Sequence, residues 1–193
     1  MKAVATSTSI RSATFWTDLK PAEHIVQCWT REETLLDALA GFVGAGLRAG
    51  EGVAVICTAA HLHDLEKRLR SHWLDIDRAR WERRYFPILA KEMLTQIMGD
   101  EGLPDDDRFR AALTPVLHLA RTDGRKARFF GEMVSVLWEQ GNVPATIRLE
   151  SLWGAFVAEH QVPLFCAYDR LLFVDDPEGM RRVCGSHTML LPG

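Results

Sequence analysis

Val53-Ala54-Val55-Ile56-Cys57 is an unbroken apolar run of strand length, with no polar residue to mark a side facing water. Such a strand belongs in a parallel sheet covered on both faces. Upstream lies a second candidate strand, His24-Ile25-Val26-Gln27-Cys28-Trp29, followed by Thr30-Arg31-Glu32-Glu33. A Thr with a Glu three positions later is a capping-box signature for a helix start. The expected helix runs through Leu35, Leu36, Leu39, Phe42, Val43 and Leu47 and stops at Gly50. Its apolar steps of three and four residues bury one face. Downstream, Thr58 opens a helix carrying Leu62, Leu65 and Leu69, and a short helical stretch spans Asp75 to Trp81. Tyr85 to Leu89 reads as a strand that is short, bulged or at an edge, because Pro87 removes a ladder donor.

The alternation continues to the C-terminus. Lys91 to Met98 is a brief helix, Gly99 to Pro104 a loop, and Asp105 or Asp106 caps a helix reaching Ala120 with a kink at Pro115. Lys126 to Phe130 is the fourth strand, Met133 to Gln140 and Val143 to His160 are helices, and Pro163 to Tyr168 is the fifth strand. A short helix begins at Asp176-Pro177. The expected fold is a three-layer α/β sandwich around a mostly parallel sheet of five or slightly more strands. A single domain is expected over residues 21–193, behind a flexible tail over residues 1–20 that is rich in Ser, Thr and Ala.

The 193 residues are 47% hydrophobic and 25% charged, the composition of a soluble globular domain that needs no metal or disulfide staple. A net charge of −3 and a pI near 6.2 argue against a polyanionic partner, so no direct nucleic-acid binding is expected. No apolar run reaches eighteen residues, and the N-terminal segment lacks the apolar core of a secretory signal. The expectation is a cytoplasmic protein with no membrane contact. Cys28, Cys57, Cys166 and Cys184 are widely spaced, and the first three sit among apolar residues, unlike a disulfide framework or a zinc site.

Ligands of open α/β sheets bind at the carboxyl ends of the strands. The turn after the first strand holds no glycine and no lysine, and its two glutamates would repel phosphate, so a phosphate-cradling loop is absent there. Gly41, Gly44 and Gly46 lie inside the helix, where they let it approach the sheet closely. Glu132 follows the fourth strand beside Phe129, Phe130 and Met133. Partial desolvation there would suit a general base, whereas capping of the next helix or pairing with Arg148 is the plainer reading. His61 and His63 read as part of a solvated helix face, Cys184 with His187 as a weak zinc pair, and His24 as a structural histidine at the far end of the sheet. Trp138 and Trp153 match a buried helical face, with an aromatic ligand lining as the alternative. The clusters Arg78/Arg80/Arg83/Arg84 and Arg121/Arg125/Lys126/Arg128 read as a solvated surface or a protein-contact face.

Several of these segments, in their order, carry a resemblance: His24 to Trp29, Gly46-Leu47-Arg48-Ala49-Gly50-Glu51, Arg128 to Met133, Leu137 to Asn142, Leu149 to Trp153 and Leu164 to Tyr168. Together, over His24 to His187, they resemble the MEDS domain, the methanogen/methylotroph DcmR-type sensory domain. The resemblance implies a sensory module of bacterial and archaeal signalling, a fold related to RecA/KaiC-type ATPases with a degenerate phosphate loop, and small hydrocarbon derivatives as ligands. The family commonly has Tyr where this chain has Trp29. With no kinase or DNA-binding region in the sequence, the resemblance implies that a kinase or transcription regulator acts in trans.

The resulting expectation is a non-catalytic sensory or regulatory domain with no cofactor and no metal. Its small organic ligand would sit at the strand ends among Trp29, Glu132, Trp138, Glu150 and Tyr168, with Glu132 as the polar contact. Two alternatives stay open: an enzyme using Glu132 as general base with His187 or Tyr168, and a nucleotide-binding protein with an unconventional site.

Overall fold

A computed structural model describes residues 3, 4 and 13–193. In chain order its elements are β1 (Ala3–Val4), α1 (Ala13–Thr17), β2 (His24–Trp29), α2 (Glu32–Arg48), β3 (Gly52–Cys57), α3 (Ala59–Ser71), α4 (Ile76–Trp81) and β4 (Tyr85–Leu89). There follow α5 (Ala90–Ile97), α6 (Asp106–Ala120), β5 (Ala127–Gly131), α7 (Met133–Glu139), α8 (Val143–His160), β6 (Leu164–Asp169), α9 (Pro177–Ser186) and β7 (Met189–Leu191). Among the described residues all strand pairs are parallel, in the order β1-β7-β2-β6-β5-β3-β4, seven strands when the two-residue β1 is included. The expected sheet gains β7 and β1 at one edge.

Two apolar layers cover the sheet. Helices α1 to α4 pack on one face against Ile25, Val53, Val55, Phe130 and Phe165. Helices α5 to α9 pack on the other against Val26, Ile56, Phe129, Leu164 and Cys166. Alternate strand residues thus point to opposite helical layers, as burial on both faces requires. The layering also fixes where the chain changes side. β2 and β3 leave toward the first layer, whereas their neighbours β5 and β6 leave toward the second. Crevices therefore open above the carboxyl ends at the β2/β6 and β3/β5 boundaries.

Local signals are obeyed with one exception. Thr58, Asp75, Asp105 and Asp176 each accept a hydrogen bond from a backbone N–H of the helix they cap. The capping box expected at Thr30 and Glu33 does not form: α2 starts one residue later, with Arg31 at its N-cap and no side-chain bond. Pro87 lies on β4, the edge strand. Val53 N–H donates to Arg84 O at 2.7 Å, so even-numbered residues of β4 face β3 and Pro87 turns its missing donor outward.

The glycines inside α2 meet bulky neighbours. A Cβ at Gly41 would lie 2.6 Å from the indole Nε1 of Trp16, and one at Gly46 would lie 2.7 Å from Nε of Arg128. Arg128, read from the sequence as surface, is buried beneath α2. Its guanidinium pairs with Glu51 at 2.6 Å and donates to the carbonyls of Trp16 and Phe42, both at 3.0 Å. The loose tail expected over residues 1–20 falls partly outside the described residues. Within them, Ala3–Val4 pairs with β7 and Trp16 is buried against Phe42 and Phe165.

Removing a partner from a buried ion pair leaves an uncompensated charge. Arg128→Met should therefore lower unfolding free energy by about 3–5 kcal/mol in urea denaturation. A loss within experimental error would show that the pair contributes nothing to stability.

Candidate functional site

The β3/β5 crevice is built around Glu132, the first residue after β5. Its Oε2 accepts the backbone N–H of Thr58, at the end of β3, at 2.9 Å. Its Oε1 bonds Nδ1 of His61 in the first turn of α3, and Nε2 of the same ring lies 3.2 Å from Oε1 of Glu32 at the start of α2. Trp29 meets His61 edge to face, with ring centroids 6.2 Å apart. Glu132 is thus the N-cap residue of α7 without a capping bond, and its partners are His61 and Thr58. His61, expected on a solvated face, is a buried bridge between two carboxylates.

The electrostatics follow from that bridge. Burial alone would lower the His61 pKa; the hydrogen bond and charge of Glu132, with the charge of Glu32, outweigh it and raise the pKa above its ordinary value. Nearby, Glu139 is pushed up by burial and by the charges of Glu132 and Asp169. The strand-end rim is acidic, which disfavours a phosphate and favours the protonated form of His61.

Glu150 on α8 and Tyr168 on β6 lie elsewhere, between the sheet and the second helical layer. The Tyr168 hydroxyl donates to Oε1 of Glu150 at 2.5 Å. Oε2 of Glu150 faces Nε2 of His24 at 3.6 Å and Nε2 of His187 at 3.5 Å. Sγ of Cys166 is 3.5 Å from Nε2 of His24, and the two imidazole rings lie 4.0 Å apart. All these residues are buried. Burial, then the neighbouring His187, pushes His24 down to about 2. Burial pushes Glu150 up, opposed by His187 and the Tyr168 hydroxyl. Cys28 shares a hydrogen bond with Cys184, which together with burial raises its thiol pKa.

The five residues expected to form one pocket are therefore divided. Trp29 reaches Glu132 through His61, whereas Glu150 and Tyr168 belong to the buried cluster and Trp138 packs on Tyr168 and Phe173. His61 was missed because its partner is 71 positions away, and no local pattern marks the pair. His187 was weighed with Cys184 and as a partner of Glu132; the structure gathers it instead with His24, Cys166 and Glu150.

A pocket of about 660 Å³ opens at the β2/β6 crevice. Its lining comes from Thr30 after β2, Arg170 and Phe173 after β6, and Met180, Arg181 and Cys184 on α9. That volume suits a small organic molecule.

Fold and crevices together define a parallel α/β domain with a small-molecule-sized pocket and a glycine-free first turn. The chain belongs to the MEDS family, the MEthanogen/methylotroph, DcmR Sensory domain, whose sequence profile matches residues 23–188. A comparison with curated proteins finds no significant match. No helix among the described residues is long and apolar enough to cross a membrane.

The raised pKa of His61 sets a pH dependence. A folded-state pKa above the unfolded value of about 6.5 gives stability that is fully present below that value and lost as pH rises through the folded pKa. The stability difference between wild type and His61→Gln should thus shrink as pH rises above about 6.5 in urea titrations. A difference that grows with pH would contradict the bridge.

Proposed function

We propose that this sensory domain is a non-catalytic receptor for a small, largely apolar organic molecule bearing an anionic group, held at the β2/β6 crevice. The observation that carries this reading is the pocket between the loops after β2 and β6, two adjacent strands whose connections leave to opposite faces. Leu171, Phe173, Val174, Pro177 and Met180 supply apolar walls, and Arg170 and Arg181 line the same pocket, the latter paired with Glu178. Guanidinium forks are suited to a carboxylate.

Of the residues expected from the sequence, Trp138 and Tyr168 act from behind, through ring contacts that hold Phe173 at 4.7 and 5.5 Å. Glu132 acts as a tie between β3, β5 and α3. Both its oxygens are engaged within the protein, which supports a holding role over proton abstraction from a substrate. The acidic rim around Glu32, Glu132 and Glu139 speaks against a nucleotide there.

Signalling needs an element whose position differs between states. α9 is suited to that task. It carries much of the pocket wall, and its C-cap residue is His187, whose ring sits in the buried cluster. A ligand that draws α9 inward would alter the surface offered to a signalling partner, such as a kinase or transcription regulator.

A thermal-shift screen of small aromatic and aliphatic carboxylates tests this reading. Wild type should be stabilised by at least one compound, Met180→Trp should lose that stabilisation by filling the pocket, and Glu132→Gln should keep it. Stabilisation that survives Met180→Trp but vanishes in Glu132→Gln would move the ligand to the β3/β5 crevice.

A further inference from the structure

We infer that His24, Glu150, Cys166 and His187 form a closed four-coordinate site for one divalent transition-metal ion of the zinc type. Each residue offers one donor atom, all four residues are buried, and the four donor atoms lie within 4.8 Å of one another. They come from distant parts of the chain: the start of β2, the middle of α8, the middle of β6 and the residue after α9.

Spacing is the first argument. Metal–nitrogen bonds of about 2.0 Å and metal–sulfur bonds of about 2.3 Å in a tetrahedron separate the ligand atoms by roughly 3.3–3.6 Å. The separations here are 3.5 Å from Cys166 Sγ to His24 Nε2, 3.6 Å from His24 Nε2 to Glu150 Oε2, and 3.5 Å from His187 Nε2 to Glu150 Oε2. For nitrogen–oxygen pairs these are too long for hydrogen bonds and fit edges of a metal polyhedron.

Unanswered polarity is the second. Nδ1 of His187 lies 2.7 Å from the carbonyl oxygen of Val183. A carbonyl only accepts, so Nδ1 carries the proton, and in the neutral ring Nε2 presents a lone pair. That Nε2 and Oε2 of Glu150 are both buried without a hydrogen-bond partner. With the ring neutral, that lone pair and a carboxylate oxygen would face each other in an apolar interior with no proton between them, and a cation placed there would bond to both.

Support from outside the ligand set is also present. The Nδ1–H of His187 donates to a backbone carbonyl, and Glu150 Oε1 receives the Tyr168 hydroxyl. Partners of this kind fix the orientation and tautomer of metal ligands. A mixed set of two imidazoles, a thiolate and a carboxylate suits zinc, and four protein ligands leave no open position, so the ion has a structural role. It would join the sheet to α8 and to the end of α9. The inference stands apart from the organic ligand proposed above, because nothing in it depends on what fills the pocket.

The test uses the full chain, stripped with chelator and reloaded with Zn²⁺ or Co²⁺ alone. One ion per chain should bind, with a higher melting temperature than the stripped protein. The Co²⁺ form should show intense tetrahedral d–d bands and a thiolate-to-cobalt charge-transfer band. Cys166→Ser should abolish the charge-transfer band, and Cys28→Ser should keep it. If Cys166→Ser fails to fold, X-ray absorption of the Zn²⁺-loaded wild type decides, with one sulfur near 2.3 Å and three nitrogen or oxygen ligands near 2.0 Å expected as rough values. No uptake at one ion per chain, a band that survives Cys166→Ser, a band lost with Cys28→Ser, or a zinc shell without sulfur would each overturn the assignment.

Discussion

A parallel sheet closed on both faces has no room for an unanswered polar group, and this constraint orders the rest of the molecule. A polar atom taken from water without a partner costs several kcal/mol by the usual transfer scales, of order 2–7. The chain nonetheless buries an arginine, three glutamates and three histidines. Arg128 and Glu132 are satisfied within the protein: one by Glu51 and two carbonyls, the other by Thr58 and His61. Glu150 and His187 are not, and each keeps one atom without a hydrogen-bond partner. Trp16 Nε1, Gln27 Oε1 and Trp153 Nε1 are also buried without a partner, but only Glu150 and His187 bring two such atoms face to face.

Most of the architecture is legible in local sequence because its causes are local. Val143 to His160 is a helix in both the periodicity and the structure, and Asp105 and Asp176 cap the helices that their positions announce. Elements that escaped are those too short to show a period. β7 spans three residues and β1 two, and both form only because β2 offers an unpaired edge for β7 to join. Thr30 failed as a cap for a different reason: the strand end at Trp29 and the bend at Arg31 set the entry into α2, and propensity yields to that geometry.

The sites were less legible, since they are made by long-range contacts. Glu132 stood out as a charged residue at the end of an apolar strand, yet its partner His61 lies on the helix after another strand. Cys166 and Tyr168 are two residues apart on β6 and so share a face, a period-of-two signal available from the sequence. What no pattern could supply is that His24 and His187, at opposite ends of the chain, meet there. Their rings are brought together when Thr188 bonds both backbone groups of His24: its hydroxyl accepts from the N–H at 2.9 Å, and its own N–H donates to the carbonyl at 2.7 Å.

The outward-turned Pro87 has a consequence for assembly. An arriving strand could not complete its ladder along the outer rim of β4, because one of the amides it would need is missing. That gap weakens any ladder that would join the sheets of two copies on that side. Association through side chains on the helical layers would leave the order of the seven strands undisturbed.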